Sequence, residues 1–338
     1  MNISDIARLA GVGVGTVSRV LNNHPDVKDS TREKVLEIIK TSNYIPNNSA
    51  RNLKKSNTNS IGVLVRGVFN PFFSEMIDVI SKHVTKNGYT MTLQHNDYSD
   101  RGELFNIISF IKERKLQGLI YLGCNLTELD ETTFEGINIP VVLASVNTVY
   151  DDRISNFSSI GIENSKAAFN ATKHLISLGH SNIGIVLGVS DDIGIGKERF
   201  VGYVEALSEA NIKIDKNKVV YGNYSSRDAY NSTIELLEKN SDITAIFAIS
   251  DVMAVGCAKA IYDKGLKLGE DISLIGFDGM DITEFNTPAI TTIVQPRTQM
   301  AETSVELLVE LIEKRTDNRH IVLDTELVER DSCKNFKK

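Results

Sequence analysis

Arg19 is the first residue whose type and setting could do chemistry. It closes the run Val14-Gly15-Thr16-Val17-Ser18-Arg19, in which Val17, Val20 and Leu21 keep a 3, 4 apolar spacing while Val14, Gly15, Ser18 and Arg19 face the other way. Upstream, Ile6, Leu9 and Ala10 form another helical stripe, and Gly11-Val12-Gly13 separates the two. Two short helices about a tight turn are the helix-turn-helix arrangement, whose second helix lies in the DNA major groove, so Arg19 is the expected base reader. Gly11-x-Gly13-x-Gly15 loosely imitates a dinucleotide loop, but no strand precedes it and no third Gly follows at the required spacing. A solvated helical hairpin is the plainer alternative.

A second set of residues follows from strand ends. Apolar runs at 61–65, 89–93, 117–122, 140–144, 183–187, 245–249 and 272–277 alternate with helical patterns, which predicts buried parallel sheets in two doubly wound α/β lobes. Thr291 to Gln295 and Ile321 to Val328 are expected to cross back between the lobes. Ligands of open α/β sheets sit outside the carboxyl ends of strands. That rule selects Phe69-Asn70-Pro71-Phe72-Phe73, Ser145, Ser250-Asp251 and Asp278. Aromatic rings can stack on the apolar face of a sugar, and the polar groups can fix its hydroxyls. Two residues keep a structural alternative: Asp251 as a helix N-cap and Phe73 as core.

Composition bounds the rest. The chain has 338 residues, enough for two or three domains, and 41% hydrophobic residues, ordinary for a globular protein. Its net charge of −7 is uneven: residues 1–59 hold nine Lys or Arg against five Asp or Glu, so a basic head precedes an acidic body. That distribution suits a protein only one end of which meets a polyanion. Cys124, Cys257 and Cys333 are far apart and read as buried thiols of a reducing cytosol. No apolar run is long enough for a membrane span and no signal peptide is evident, so a cytoplasmic protein is expected.

Ala10-Gly11-Val12 followed by Thr16-Val17-Ser18-Arg19-Val20 resembles the head of the LacI/GalR family of bacterial transcriptional regulators. Gly13 stands where the family usually has Ser, which removes a hydroxyl that would cap the second helix. The resemblance implies DNA contacts from Val14, Gly15, Thr16, Ser18, Arg19 and Asn22. It also implies a hinge helix in Asn48 to Lys55, with Leu53 as a wedge in the minor groove flanked by Ala50, Arg51 and Lys54; packing of Leu53 on the head is the alternative. In the core it implies effector contacts from Phe72, Phe73, Ser145, Arg199, Ser250, Asp251, Asp278 and Gln295, with Ser145 replacing an Asp of some members.

The expected organisation is a helix-turn-helix domain over 1–46, a hinge and linker over 47–60, and a periplasmic-binding-protein-like core over 61–330. Its lobes are expected to be 61–160 with 291–322 and 161–290 with 323–330. The expected function is effector-controlled regulation of transcription, most readily repression, with operator DNA and a sugar-like small molecule as partners and no cofactor, metal or catalytic step. Gly194-Ile195-Gly196-Lys197-Glu198 lacks the Walker spacing, and no Cys or His cluster has metal-ligand spacing. A sugar-transport binding protein or a sugar enzyme carrying an unrelated helical hairpin is the competing reading. A homodimer is expected, because the helix from Pro71 to Gly88 carries Phe73, Met76, Ile77, Ile80 and Val84, more apolar surface than one sheet needs. The absence of Leu-rich heptads near Lys338 argues against the family's C-terminal tetramerising helix.

Overall fold

The computed structural model describes residues 2–21, 24–42, 59–66, 71–96, 103–124, 133–146 and 155–336. The chain divides into two compact units, Met1–Thr58 and Asn59–Lys338.

The first unit holds α1 (Ile3–Ala10), α2 (Val14–Leu21) and α3 (Asp29–Thr41). Ile6, Ala7, Ala10, Val17, Val20, Val27 and Val35 close its core. Two residues of the expected stripes point outward instead: Leu9 is 53% and Leu36 47% exposed. The side chain of Ala7 fills the inner position on α1, and Ile38 and Ile39 cover the core edge on α3, so no room is left inside for either leucine.

The second unit is built on two six-stranded sheets among the described residues. In the first lobe come β1 (Ser60–Arg66), α4 (Pro71–Lys86), β2 (Thr90–Asn96), α5 (Glu103–Arg114), β3 (Gly118–Leu122), β4 (Val141–Val146) and β5 (Ser158–Ile162). The second lobe takes α6 (Asn164–Ser177), β6 (Ile183–Leu187), α7 (Ile195–Glu209), β7 (Val219–Tyr221) and α8 (Ser226–Lys239). It continues with β8 (Ala245–Ala248), α9 (Asp251–Asp263), β9 (Ser273–Asp278), α10 (Asp281–Glu284) and β10 (Thr291–Val294). The chain then returns to the first lobe for α11 (Arg297–Ile312) and β11 (His320–Leu323), and ends its crossings with β12 (Glu326–Val328) in the second sheet.

Strand order is β11-β5-β4-β3-β1-β2 in one sheet and β12-β10-β9-β8-β6-β7 in the other. All strands run parallel except β12, which lies antiparallel to β10. All three crossings therefore leave from β5, β10 and β11, at one edge of each sheet. Thr291–Val294 pairs with β9, so this stretch belongs to the second lobe and not to the first, with which 291–322 is expected to fold.

All seven predicted strands are present. The pattern misses β5, whose buried run Ser158-Ser159-Ile160-Gly161-Ile162 is half polar or small, and β7, a three-residue edge strand. The apolar face of α4 is spent within its own lobe: Phe73, Met76, Ile80 and Val84 are buried and α11 packs beside the helix. Only Ile77 of that set is partly exposed, so the apolar surface expected to join two copies there is already covered. Cys124 and Cys257 are buried, Cys333 is half-buried, and none forms a disulfide. Among the described residues no helix is long and apolar enough to cross a membrane.

Candidate functional site

The face of α2 turned away from the head's core is the candidate DNA surface. At the start of α1 the Asn2 side chain accepts from the Asp5 amide at 3.0 Å while Asp5 Oδ2 accepts from the Asn2 amide at 3.0 Å, a reciprocal cap. Gly11 ends the helix at φ 67°, a left-handed conformation that lets the chain turn directly into α2. Val14, Gly15 and Arg19 are exposed and Thr16 and Ser18 half-buried, as their opposition to buried Val17 and Val20 requires. The Arg19 guanidinium has no side-chain partner among the described residues. Asn22, Ala50, Arg51, Leu53 and Lys54 lie outside the described residues.

The core has a cleft between its lobes, about 650 Å³ including its solvent-open mouth. Its place follows from topology. In each sheet the strand order reverses between two neighbours, β1 and β3 in the first lobe and β6 and β8 in the second, and such switch points leave a crevice at the strand ends. Arg66 and Cys124 line the cleft from the first crevice, Val189 and Ser250 from the second. Of the sequence-predicted residues the cleft gathers Phe72, Phe73, Ser145, Arg199, Ser250, Asp278 and Gln295. Phe72 and Phe73 meet edge to face with centroids 5.4 Å apart, and both are also core, so Phe73 serves as wall and packing at once.

Arg199 is 2% exposed and is held from three sides. Its Nε donates to Asn164 Oδ1 at 3.0 Å, its Nη1 to the Ile249 carbonyl at 2.6 Å, and its plane lies 3.7 Å over the Phe277 ring. Asp278 Oδ1 stands 3.6 Å from Nη1 and accepts from Gln295 Nε2 at 2.8 Å. No protein acceptor meets Nη2 among the described residues, so the fork keeps donors for a ligand. Burial raises the Asp278 carboxyl to about 6, against the lowering pull of Arg199 and Gln295. Ser145 and Asp278 adopt φ of 56° and 127°, strained for residues with a Cβ. Two such positions at strand ends facing one cleft are what a preorganised site looks like.

Asp251 is placed otherwise. It does not line the cleft, and the N-cap of α9 is Ser250, whose Oγ accepts from the Met253 amide at 3.3 Å. The Asp251 carboxyl is fully buried, accepting from the Met280 amide at 2.7 Å and from Thr292 Oγ1 at 2.6 Å. It therefore ties α9 to the loop after Asp278 and to β10. Burial, with the nearby Asp278 charge adding to it, pushes its carboxyl up to about 7.

The cleft also contains Arg66, Cys124, Val189, Asp192, Ile195 and Tyr224, which the sequence reading did not assign to the site. Arg66, Val189 and Asp192 follow strands that the apolar pattern does locate, so the strand-end rule could have found them. Tyr224 follows β7, which that pattern misses. Beside the cleft, Arg297 at the start of α11 bridges the lobes: Nη1 meets Glu75 of α4 at 2.6 Å and Nη2 donates to the Gly279 carbonyl at 2.9 Å.

A helix-turn-helix unit joined to a two-lobed core with a cleft at facing switch points defines a ligand-responsive transcription regulator of bacterial type. Comparison with known proteins narrows the class. Residues 2–47 match the bacterial regulatory proteins of the lacI family, and residues 172–333 match a periplasmic binding protein-like domain. The chain is 56% identical over 336 residues to the HTH-type transcriptional regulator MalR of Clostridium butyricum, covering 99% of this chain and 100% of MalR. Its fold is similar to the lac repressor dimer bound to operator and the anti-inducer ONPF, with TM-score 0.78, 26% identity and 99% of each chain covered. It is also similar to the CelR–cellobiose complex, with TM-score 0.72 and 27% identity over 98% of this chain and 99% of that one. The chain belongs to the lacI family of transcriptional regulators.

Proposed function

We propose that the chain is a repressor that binds double-stranded operator DNA as a homodimer and is controlled by a sugar held in the cleft between its lobes. The observation that carries the effector reading is the buried Arg199, fixed by Asn164 and Ile249 beside Asp278 and Gln295, with donors left toward a cleft walled by Phe72 and Phe73. Paired hydroxyls suit a planar fork and a carboxylate, and aromatic rings suit a sugar face. Ser145 and Ser250 would supply further hydroxyl contacts. The cellobiose bound by CelR supports a sugar as the ligand class.

Arg19 would read a base edge, with Val14, Gly15, Thr16 and Ser18 against the groove. The roles of Asn22, Ala50, Arg51, Leu53 and Lys54 rest on the family resemblance alone. Two heads are needed for a two-fold symmetric site, and the operator-bound lac repressor is a dimer. In place of α4, exposed Leu104 and Phe105 in the first lobe and Tyr262, Ile282 and Phe285 in the second offer apolar surface for a second copy. A cytoplasmic, non-catalytic protein fits these roles.

The test is selection of duplexes from a random DNA library, followed by anisotropy titration of the enriched sequence at rising salt with and without sugars. Enrichment of a two-fold sequence, affinity that falls steeply with salt and a shift with one sugar are expected. Failure to enrich any sequence, or affinity indifferent to every sugar, would refute the assignment.

A further inference from the structure

We propose that Asp192, positioned by Tyr224, sets the ligand class of the cleft: it admits neutral, hydroxyl-rich molecules and rejects those carrying a phosphate or carboxylate. The proposal rests on the reading of the cleft as the effector site and adds a charge filter to it.

Both Asp192 oxygens are engaged. Oδ2 accepts from the Tyr224 hydroxyl at 2.7 Å and Oδ1 from the Gly194 amide at 2.8 Å, which fixes the carboxylate on the cleft wall. Two features of the backbone show that the pair is built for. Tyr224 holds φ of 52°, a conformation costly for a bulky side chain and kept only where surroundings over-determine it, and Asn223 before it, a residue type that tolerates the left-handed region, holds φ of 49°. A Cβ on Gly188 would lie 2.2 Å from the Tyr224 ring, and one on Gly196 would lie 2.3 Å from Asp192 Oδ2. Bare backbone at both positions is what leaves room for the two side chains to meet.

The chemistry of the pair is one-sided. A carboxylate only accepts hydrogen bonds, and a phenol whose proton is given to that carboxylate offers an incoming group only lone pairs. Ligand hydroxyls can donate to both. A phosphate dianion has no proton to donate and brings like charge against Asp192, with Asp278 a second carboxylate of the same cleft. Among the described residues the cleft is lined by two guanidinium groups, Arg66 and Arg199, against two carboxylates, Asp192 and Asp278, so this lining carries no excess positive charge that would draw in an anion. Rejection by a like charge is a common route to specificity.

Isothermal titration of the full chain with α- and β-linked glucose disaccharides and with their 6-phosphates tests the proposal. At least one neutral disaccharide should bind, with its 6-phosphate weaker by roughly tenfold or more. Asp192→Asn, whose amide can donate to phosphate, should weaken the neutral sugar by roughly tenfold to a hundredfold and remove most of the discrimination. Tyr224→Phe frees the carboxylate but keeps its charge, so it should lower affinity for the neutral sugar while rejection of the phosphate persists. A 6-phosphate that binds the wild type as well as its parent sugar, discrimination unchanged in Asp192→Asn, or no neutral disaccharide bound at all would overturn the proposal. Val189→Trp adds bulk to the cleft lining and leaves both side chains of the pair in the sequence. Binding undiminished in that variant would place the ligand elsewhere and overturn the cleft assignment itself, a result separable from loss of charge discrimination.

Discussion

Asp251→Asn should change the stability of the core in a pH-dependent way. The carboxyl is fully buried, accepts from the Met280 amide and Thr292, and has the charge of Asp278 near it, so the proton is held up to about pH 7 against 3.8 for an ordinary aspartate. An acid whose folded pKa is raised binds its proton more tightly folded than unfolded. Its contribution to stability is therefore full below about pH 4 and declines as pH rises through the folded pKa. At 1.36 kcal/mol per pH unit the ceiling on that decline is roughly 4 kcal/mol, and because Asp278 titrates in the same range about 2 kcal/mol is expected. Asn at 251 keeps the shape, accepts from Met280 and can donate to Thr292, but does not titrate. The variant should match the wild type within about 1 kcal/mol at pH 5 and exceed it by about 2 kcal/mol at pH 8. The chain has no Trp, so urea unfolding followed by far-ultraviolet circular dichroism at each pH is the suitable assay. A stability difference that stays flat between pH 5 and pH 8 would refute the reasoning.

Arg19→Ala should weaken operator binding by roughly 1 to 3 kcal/mol per half-site and leave sugar binding unchanged, as read by anisotropy and calorimetry; normal operator affinity would remove α2 as the reading helix. Gly11→Ala should lower the melting temperature of the head through about 1 to 2 kcal/mol of backbone strain, since its φ is 67° and a Cβ there meets nothing within 4 Å. Gly202→Ala places a Cβ 2.0 Å from the Ser165 carbonyl where α7 crosses α6, so it should destabilise the second lobe by about 1 to 3 kcal/mol or more in urea unfolding; a neutral effect would mean that the two helices part easily.

The elements most legible in the sequence are those whose side chains follow a single physical rule. β1, β3, β4, β6, β8 and β9 are buried on both faces and are written as mostly apolar runs. β5 obeys a different rule: Ser158 and Ser159 are buried because Asn318 and His320 meet their hydroxyls, a pairing between residues 160 positions apart that no local window contains. The outward turn of Leu9 and Leu36 has a similar origin, since a helical stripe gives the apolar side only to within one residue and the third helix decides the rest. In the cleft, Arg199 and Asp278 are legible as charged residues that must find partners once buried. Asp251 follows the same logic with a different partner set, and only the positions of Met280 and Thr292 show that its carboxyl faces inward. Tyr224 and Asp192 depend on two glycines and a left-handed turn, features that leave no apolar signal.

The three chain crossings lie along one edge of each sheet, while β2 and β7 at the opposite edges are joined by nothing covalent. Three tethers on one side make the core a jaw with its pivot built in. The lobes can rotate about that line with small changes in a few backbone torsions, but sliding them past each other would strain all three connections together. For a given turn at the pivot the untethered rims travel furthest. Arg297, which meets Glu75 on one jaw and the carbonyl after Asp278 on the other, follows one of the tethers, so a rotation that parts the jaws there has to break one of these two contacts.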